Sequence, residues 1–425
     1  MSVTRRQFIK WTGASVAIAG ASGCASVSGR KTVGRVVVIG AGYGGATAAK
    51  YIRMWSPDIE VTLVEREAEF ISCPLSNRVL GGVWELKELT RDYGRLSARH
   101  GVRLVRDEAV AVDPVAREVR LRSGATLEYD RLVVSPGVDL LYDEIPGLAE
   151  PSARDRVLHA WKAGPQTVAL RKQLEAMRNG GVYAITVPRS PYRCPPGPYE
   201  RACQIAFYFK MHKPRSKVLI LDANDDVQSK KALFTKAWAE RYPGIVEYRP
   251  LSTLVDVDVA TLTAKLDFED VRADVLNVVP PQRAGTIAKD AGLITANGRW
   301  CEVDFLTYES LAVRNIHVLG DSVMAAPQMP KSGHMANQHG KVCAAAIIAL
   351  LHGEAPNGKP MVTNTCYSFV SDKDVVHVAS VHAYDASQKT MVVVPGASGV
   401  SSSANELEGE YAESWGRNIW DDMLG

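Results

Sequence analysis

Residues 35–45 read RVVVIGAGYGG, and the helix and strand beyond this run decide its meaning. An apolar run from Arg35 to Ile39 enters a turn with glycines at Gly40, Gly42 and Gly45. A helical stretch, ATAAKYIRMW, comes next, and a second strand, IEVTLVE, ends on Glu65. A G-x-G-x-x-G by itself is weak, because glycine turns are common. Strand, glycines, helix and an acidic residue at that distance together describe a dinucleotide-binding βαβ unit. Gly40 allows the tight turn, Gly42 lets the backbone approach a pyrophosphate, and Gly45 lets helix and strand pack closely. The helix N-terminus offers free N–H groups to phosphate, and Glu65 is expected to accept hydrogen bonds from an adenosine ribose.

Residues 4–10, TRRQFIK, are a twin-arginine motif followed by a short, weakly apolar stretch rich in Ala and Gly. Residues 1–30 therefore read as an export signal, set apart from fold reasoning. The expected location is the periplasm. Ala21-Ser22-Gly23-Cys24 has a faint likeness to a lipoprotein processing site at Cys24, although the large aliphatic residue usual three positions before the cysteine is missing. The rest of the chain has the composition of an ordinary globular protein, and its length suits two or three domains. A net charge of +3 with no basic run gives no reason to invoke nucleic acid. No further segment is apolar and long enough to cross a membrane.

A second βαβ unit reads as a strand at Gly180–Pro188, a helix at Tyr199–Met211 and a strand at Lys217–Ala223. The turn between the first strand and the helix, RSPYRCPPGPYER, carries prolines where a phosphate cradle needs glycines and N–H donors. The unit therefore lacks a nicotinamide fingerprint. Two other segments return to the first unit. Tyr129–Leu140 reads as a strand ending in a Ser135-Pro136-Gly137 turn, and Asn315–Val323 as an apolar strand ending in Gly320-Asp321. In flavoproteins built this way the aspartate holds a ribityl hydroxyl, so the expected nucleotide is FAD. A long helix after Pro330-Lys331-Ser332-Gly333-His334 would point its positive end at the flavin, with Lys331 able to add charge or simply to sit on the surface.

The fold class expected is α/β: two Rossmann-like units of glutathione-reductase type and a C-terminal α+β domain. The boundaries read as 31–150 with 275–355 for FAD, 151–274 for the second unit, and 356–425 for the last. The chain has seven cysteines. Cys203 and Cys343 lie on apolar helices and read as core; Cys301 carries no legible role. Cys73, Cys194 and Cys366 each sit in turn-rich stretches near domain junctions. There is no C-x-x-C-H, so no c-type haem is expected in this chain, and no C-x-x-C pair, so no metal is expected.

The stretches GAGYGGATAAKYI, CPLSNRVLGG, YRCPPGPYER, KPRSKVLILDA, PKSGHMANQHGKVCAAA and NTCYSF resemble the flavoprotein subunit of flavocytochrome c sulfide dehydrogenase and the similar flavoprotein of the periplasmic sulfur-oxidation system. The resemblance spans nearly the whole chain. It implies FAD linked covalently through its 8α position to Cys73. It implies a redox disulfide between Cys194 and Cys366, opened by sulfide, and a separate cytochrome c, subunit or soluble, as electron acceptor. Glu200 could take a proton near that disulfide, or be an exposed carboxylate at a helix start. Trp415, or equally Trp420, could cover the flavin from the third domain, or merely pack. A sulfide:quinone oxidoreductase and a non-catalytic accessory flavoprotein of a sulfur-oxidation complex remain alternatives.

Overall fold

The computed structural model describes residues 32–425; the twin-arginine motif and Cys24 lie outside the described residues. In chain order the elements that matter begin with β1 (Gly34–Ile39), α1 (Tyr43–Trp55), β2 (Ile59–Glu65), β3 (Arg103–Arg106), β4 (Arg131–Val134) and β5 (Val182–Val187). They continue with α2 (Gly197–His212), β6 (Lys217–Asp222), α3 (Lys231–Arg241), β7 (Val246–Arg249), β8 (Val275–Val278) and β9 (Ile316–Val318). The chain closes with α4 (Gly333–Leu351), β10 (Met361–Phe369), β11 (Val375–Asp385), β12 (Thr390–Val393) and α5 (Glu406–Leu424).

β1 is apolar on both faces, as a strand covered by helices on each side must be. It lies centrally in a seven-stranded sheet whose parallel part runs β9-β4-β1-β2-β3. α1 begins at Tyr43, inside the glycine turn, earlier than the sequence suggests. The reason is steric. A Cβ on Gly45 would stand 1.9 Å from the Gly40 carbonyl oxygen, so only glycine lets the first helical turn press on the end of β1. Gly340 has the same role where α4 crosses α1: a Cβ there would approach the Gly44 oxygen to 2.6 Å.

The second parallel sheet has the order β7-β6-β5-β8. β8 pairs with Tyr183–Thr186, so the boundary expected between 274 and 275 falls one strand too early. The error arises because β8 is a short buried run, indistinguishable in sequence from a return to the first sheet. Tyr129–Leu140 is likewise not one strand. The backbone leaves the first sheet at Ser135, and Val138–Leu140 pairs antiparallel with Gln282–Ala284, where the chain crosses between units in both directions.

β10, β11 and β12 form an antiparallel sheet, and α5 lies against it and against α1. Lys50 of α1 donates to the carbonyls of Asp421 (3.0 Å) and Asp422 (2.9 Å), capping the last turn of α5. Lys341 and Asn337 of α4 hold the Asp422 carboxylate at 2.9 and 2.7 Å. The aromatic tail is thus a 19-residue helix docked by charge at its C-terminal end.

Arg201, on α2, joins these units. It is 2% exposed. Nε donates to Asn77 Oδ1 (3.0 Å), Nη1 to Asn277 Oδ1 and the His159 carbonyl (2.9 Å each), and Nη2 to the Ala160 carbonyl (2.7 Å). Asn77 belongs to the Cys73 segment, Asn277 to β8, and residues 159–160 to a strap between the units. Arg201→Met should leave these acceptors buried and unpaired, costing about 3 kcal/mol of unfolding free energy, measured as a lowered urea midpoint with an unchanged slope.

Candidate active site

The glycine turn has the form a dinucleotide needs. Gly40 has φ +90° and backs onto the Ser135 carbonyl, where a Cβ would come to 2.4 Å. A Cβ on Gly42 would meet nothing within 4 Å, so the open side of the turn is at Gly42. Gly42 is also the N-cap of α1 and offers it no side-chain acceptor, which leaves the first N–H groups for an anion. The Glu65 carboxylate faces the same turn, accepting from Ala41 N–H (2.7 Å) and Glu67 N–H (2.9 Å).

At the far end of the cradle, Gly320-Asp321-Ser322 forms a single tight turn with Gly320 at φ +68°. Ser322 Oγ donates to the Gly137 carbonyl at 2.6 Å, joining the two returning segments. Asp321 Oδ1 is buried with no partner, and burial raises the carboxyl pKa against the pull of Arg193 and Lys331. A buried acceptor without a donor is costly unless a ligand hydroxyl completes it. The open face at Gly42 and the orphaned Asp321 oxygen both fit a flavin dinucleotide. Lys331 is neither on the surface nor free. It is 5% exposed, donates to the carbonyls of Asp321 and Val323, lies over the Trp300 ring at 3.7 Å, and is pulled down to about pKa 8 by burial.

Cys73 is half-buried, and its sulfur accepts from Ala163 N–H of the strap at 3.4 Å. Arg193 lies beside it. Burial works against the guanidinium, yet Cys73, Asp321 and Cys194 together hold its pKa above the ordinary value. Next in sequence, Cys194 adopts φ +59°, a strained conformation for a side-chain-bearing residue. Its N–H donates to the Lys331 carbonyl (2.9 Å), which ties the proline-rich turn to the flavin side. Trp161 packs close by: a Cβ on Gly197 would meet its ring at 2.7 Å and the Cys194 sulfur at 3.0 Å.

Cys366, from β10, comes to the same place. It and Cys194 are free thiols that flank residues 331–332: Cys194 N–H donates to the Lys331 carbonyl, and Asn364, 3.4 Å from the Cys366 sulfur, accepts from Ser332. Burial, then Cys366 and Glu200, push the Cys194 thiol up to about 12. Burial also raises Cys366, but Lys230, Asn364 and Ser332 pull it back. Asn364 Nδ2 lies 3.4 Å from the Cys366 sulfur, and its Oδ1 accepts from Ser332, the N-cap of α4, at 2.6 Å. Glu200 is buried, not an exposed helix-start carboxylate. It accepts from Asn77 Nδ2 (3.0 Å) and Phe369 N–H (3.0 Å), and burial raises its pKa.

Trp415 is half-buried, 5.9 Å from the His334 ring and 6.2 Å from Tyr367. It lines a 420 Å³ groove between α4, β10 and α5. Trp420 is buried and donates to Tyr43 Oη at 3.1 Å, so of the two it is the packed one. Cys203, Cys301 and Cys343 are all buried in apolar surroundings.

In the second unit, the β6 end where an acidic residue would meet a ribose carries Asp222. Its carboxylate accepts from Tyr199 Oη (2.7 Å), Tyr248 Oη (3.1 Å) and Asn224 Nδ2 (2.7 Å). The protein's own side chains fill that position. Lys230, Arg193 and Trp161 escaped the reading of the sequence, and Asn77 stood in a quoted motif without a role of its own. Lys230 stands in SKK, which looks like a surface run. Arg193 was within reach, being next to Cys194 in a motif already singled out.

This geometry, a dinucleotide cradle in one parallel sheet with a second parallel sheet beside it, defines the class: a two-unit flavoprotein of the reductase fold. Residues 34–173 match the pyridine nucleotide-disulphide oxidoreductase model. Residues 167–280 match the central region of the sulfide dehydrogenase [flavocytochrome c] flavoprotein chain, and 358–424 its flavin-binding region. The flavoprotein chain from Chlorobaculum thiosulfatiphilum is 58% identical over 45 residues, 11% of this chain and 94% of that sequence. The chain belongs to the flavocytochrome c sulfide dehydrogenase flavoprotein family. The mitochondrial sulfide:quinone oxidoreductase of Dictyostelium discoideum is 25% identical over 304 residues, 69% of this chain and 66% of that one. The chain thus spans just under two thirds of that relative. The sulfide:quinone oxidoreductase structure from Aquifex aeolicus superposes with TM-score 0.74 at 18% identity, covering 92% of this chain and 91% of that one. A NAD-dependent persulfide reductase from A. fulgidus gives 0.64 at 17% identity, covering 92% and 77%. At these identities the likeness is one of fold.

Two outcomes are expected. Acid precipitation should leave yellow colour with the protein, and Cys73→Ser should release it, read by absorbance of the supernatant. NADH at micromolar concentration should leave the flavin oxidised, because Tyr199 and Tyr248 occupy the Asp222 carboxylate; rapid bleaching would contradict this.

Proposed function

We propose that this chain is the FAD-bearing flavoprotein of a periplasmic sulfide:cytochrome c oxidoreductase, with FAD attached at Cys73. The observation that carries the reading is the meeting of Cys194 and Cys366 beside buried Glu200, next to a cradle that fits a flavin. Hydrosulfide is a thiol-like nucleophile and opens a disulfide between these cysteines by exchange. The flavin, when bound, supplies a two-electron acceptor that can return electrons singly to a cytochrome c, whether subunit or soluble. The chain's own residues supply the rest. Gly42 and the α1 N-terminus seat the pyrophosphate, Asp321 takes a ribityl hydroxyl, and Trp161 with the strap keeps water from the sulfurs. Glu200, with its pKa raised by burial, is placed to take up a proton more readily than an exposed carboxylate. Export is supported by the twin-arginine motif, and a lipid anchor at Cys24 is the alternative to simple cleavage.

The acceptor is the finer question. Relatives named for quinone reduction favour a second reading as a sulfide:quinone oxidoreductase. The match to the flavocytochrome c flavoprotein chain in both the central and the flavin-binding regions favours the cytochrome. Among the described residues no helix is long and apolar enough to cross a membrane. Parallel assays with cytochrome c and a soluble quinone decide between the two acceptors, and failure of both favours an accessory role.

Cys194→Ser and Cys366→Ser should each abolish sulfide-driven flavin bleaching in stopped flow while flavin stays bound. For Glu200→Gln, the ratio of wild-type to variant bleaching rate should rise with pH, because only the ionised carboxylate accepts a proton. The ionisation of hydrosulfide cancels in that ratio. A pH-independent ratio would remove Glu200 from the proton path.

A further inference from the structure

Lys230 is a buried cation with no part in the mechanism above. It is 9% exposed and stands just before α3 in the left-handed region, at φ +56°. Its ammonium donates to the Cys366 carbonyl (2.9 Å) and to Ser368 Oγ (2.8 Å), with the Phe234 ring 5.7 Å away. The charged or titratable groups facing it are, in order of effect, Cys366, Glu200, Cys194 and Glu408. Both carboxylates are held elsewhere: Glu200 by Asn77 and Phe369, Glu408 by Ser401 and His377. A buried ammonium needs a compensating charge or well-placed acceptors. Here the titratable group with the strongest pull on it is the thiol of Cys366, whose own carbonyl the ammonium holds.

We propose that Lys230 is a positioning residue for the dithiol: its ammonium, tied to the backbone of Cys366, makes Cys366 the sulfur that leaves as a thiolate and Cys194 the sulfur that hydrosulfide attacks. The inference rests on the sulfide-oxidising reading. The two thiols are unequally served. Cys366 has Lys230, an Asn364 donor and, through it, the Ser332 cap of a 19-residue helix. Facing it are also Glu200 and Cys194, which oppose its ionisation. Cys194 has Arg193, whose charge is shared with Cys73 and Asp321, and a weaker pull from Lys230. In exchange the sulfur with the more stable thiolate leaves faster. The step balances. The hydrosulfide sulfur bonds to Cys194 Sγ, the Cys194–Cys366 bond breaks with its electron pair on Cys366, and the proton stays on the terminal sulfur. The products are a Cys194 persulfide and a Cys366 thiolate, and the disulfide is the oxidant.

The test uses the full flavin-loaded chain, reduced, with iodoacetamide alkylation of each cysteine followed against pH by peptide mass spectrometry. In the wild type the Cys366 midpoint should lie at least about one pH unit below that of Cys194. Lys230→Met should raise the Cys366 midpoint by about one unit, move Cys194 less, and slow sulfide-driven bleaching about tenfold. Lys230→Arg should restore both. Lys230→Gln, which keeps a donor for Cys366 and Ser368, separates charge from hydrogen bonding and carries the test if the Met variant does not fold. A Cys366 midpoint that ignores the charge at position 230, or a trapped persulfide on Cys366, overturns the proposal. Alkylation needs no sulfide. A midpoint that follows Lys230 in a protein that does not oxidise sulfide therefore sinks the functional reading alone and upholds the electrostatic role of Lys230.

Discussion

The Arg201 guanidinium holds together the pieces from which the site is made. Four segments reach it: Asn77 beyond Cys73, the strap at His159–Ala160, Asn277 on β8, and its own helix carrying Glu200. Its acceptors are neutral, so the charge is spread over dipoles instead of being paired with one carboxylate. That choice matters beside a thiol centre. An Arg–carboxylate pair would neutralise itself, whereas an arginine bound to amide and carbonyl oxygens keeps its geometry rigid, with its donors in a planar fork. The price is burial of a cation, and it is tolerable only because every nitrogen of the guanidinium finds a partner.

The dithiol site is an electrostatic compromise in low dielectric. Burial opposes ionisation of Cys194, Cys366 and Glu200, and it opposes the charged form of Lys230 as well. Set together, two cations, Arg193 acting on Cys194 and Cys73 and Lys230 acting on Cys366, favour negative charge at the sulfurs. The α4 N-terminus adds to the Cys366 side through Ser332 and Asn364. The arrangement suits chemistry in which negative charge moves among sulfurs without water to solvate it.

The second nucleotide unit keeps the sheet and loses the site. Its turn is stiffened by prolines, and Asp222 is bound by Tyr199, Tyr248 and Asn224. Those tyrosines belong to an aromatic cluster with Phe234 and Trp238. What would be a ligand crevice has become core, and the same turn now presents Cys194 to the first unit. One loop, without the glycines of a phosphate cradle, carries a thiol on the same scaffold.

Much of this was legible in the chain itself. The glycine run with Glu65, the βαβ periodicities and the ends of β5, α2 and β6 depend on interactions within a few dozen residues, which local sequence encodes. Cys73, Cys194 and Cys366 stood out by their turn-rich stretches near domain junctions, and the family resemblance implied their roles. Glu200 could be read equally as exposed or as working. Its burial depends on Phe369 and Asn77, which are far away in sequence. The same holds for Lys331, which could be read as a cation at the flavin or as a surface charge; its burial comes from Asp321, Val323 and Trp300. The boundary near Val275 failed because a short buried strand fits either sheet, and only hydrogen-bond register chooses. Lys230 carried no signal at all. Sequence by itself determined the nucleotide fold, which follows from local pattern, and offered the sulfurs of Cys73, Cys194 and Cys366 as candidates whose roles only the family resemblance implied. Tertiary structure alone decided which charges face Cys194 and Cys366, because burial and long-range pairing shift those thiols, Glu200 and Lys230, and neither is written in neighbouring residues.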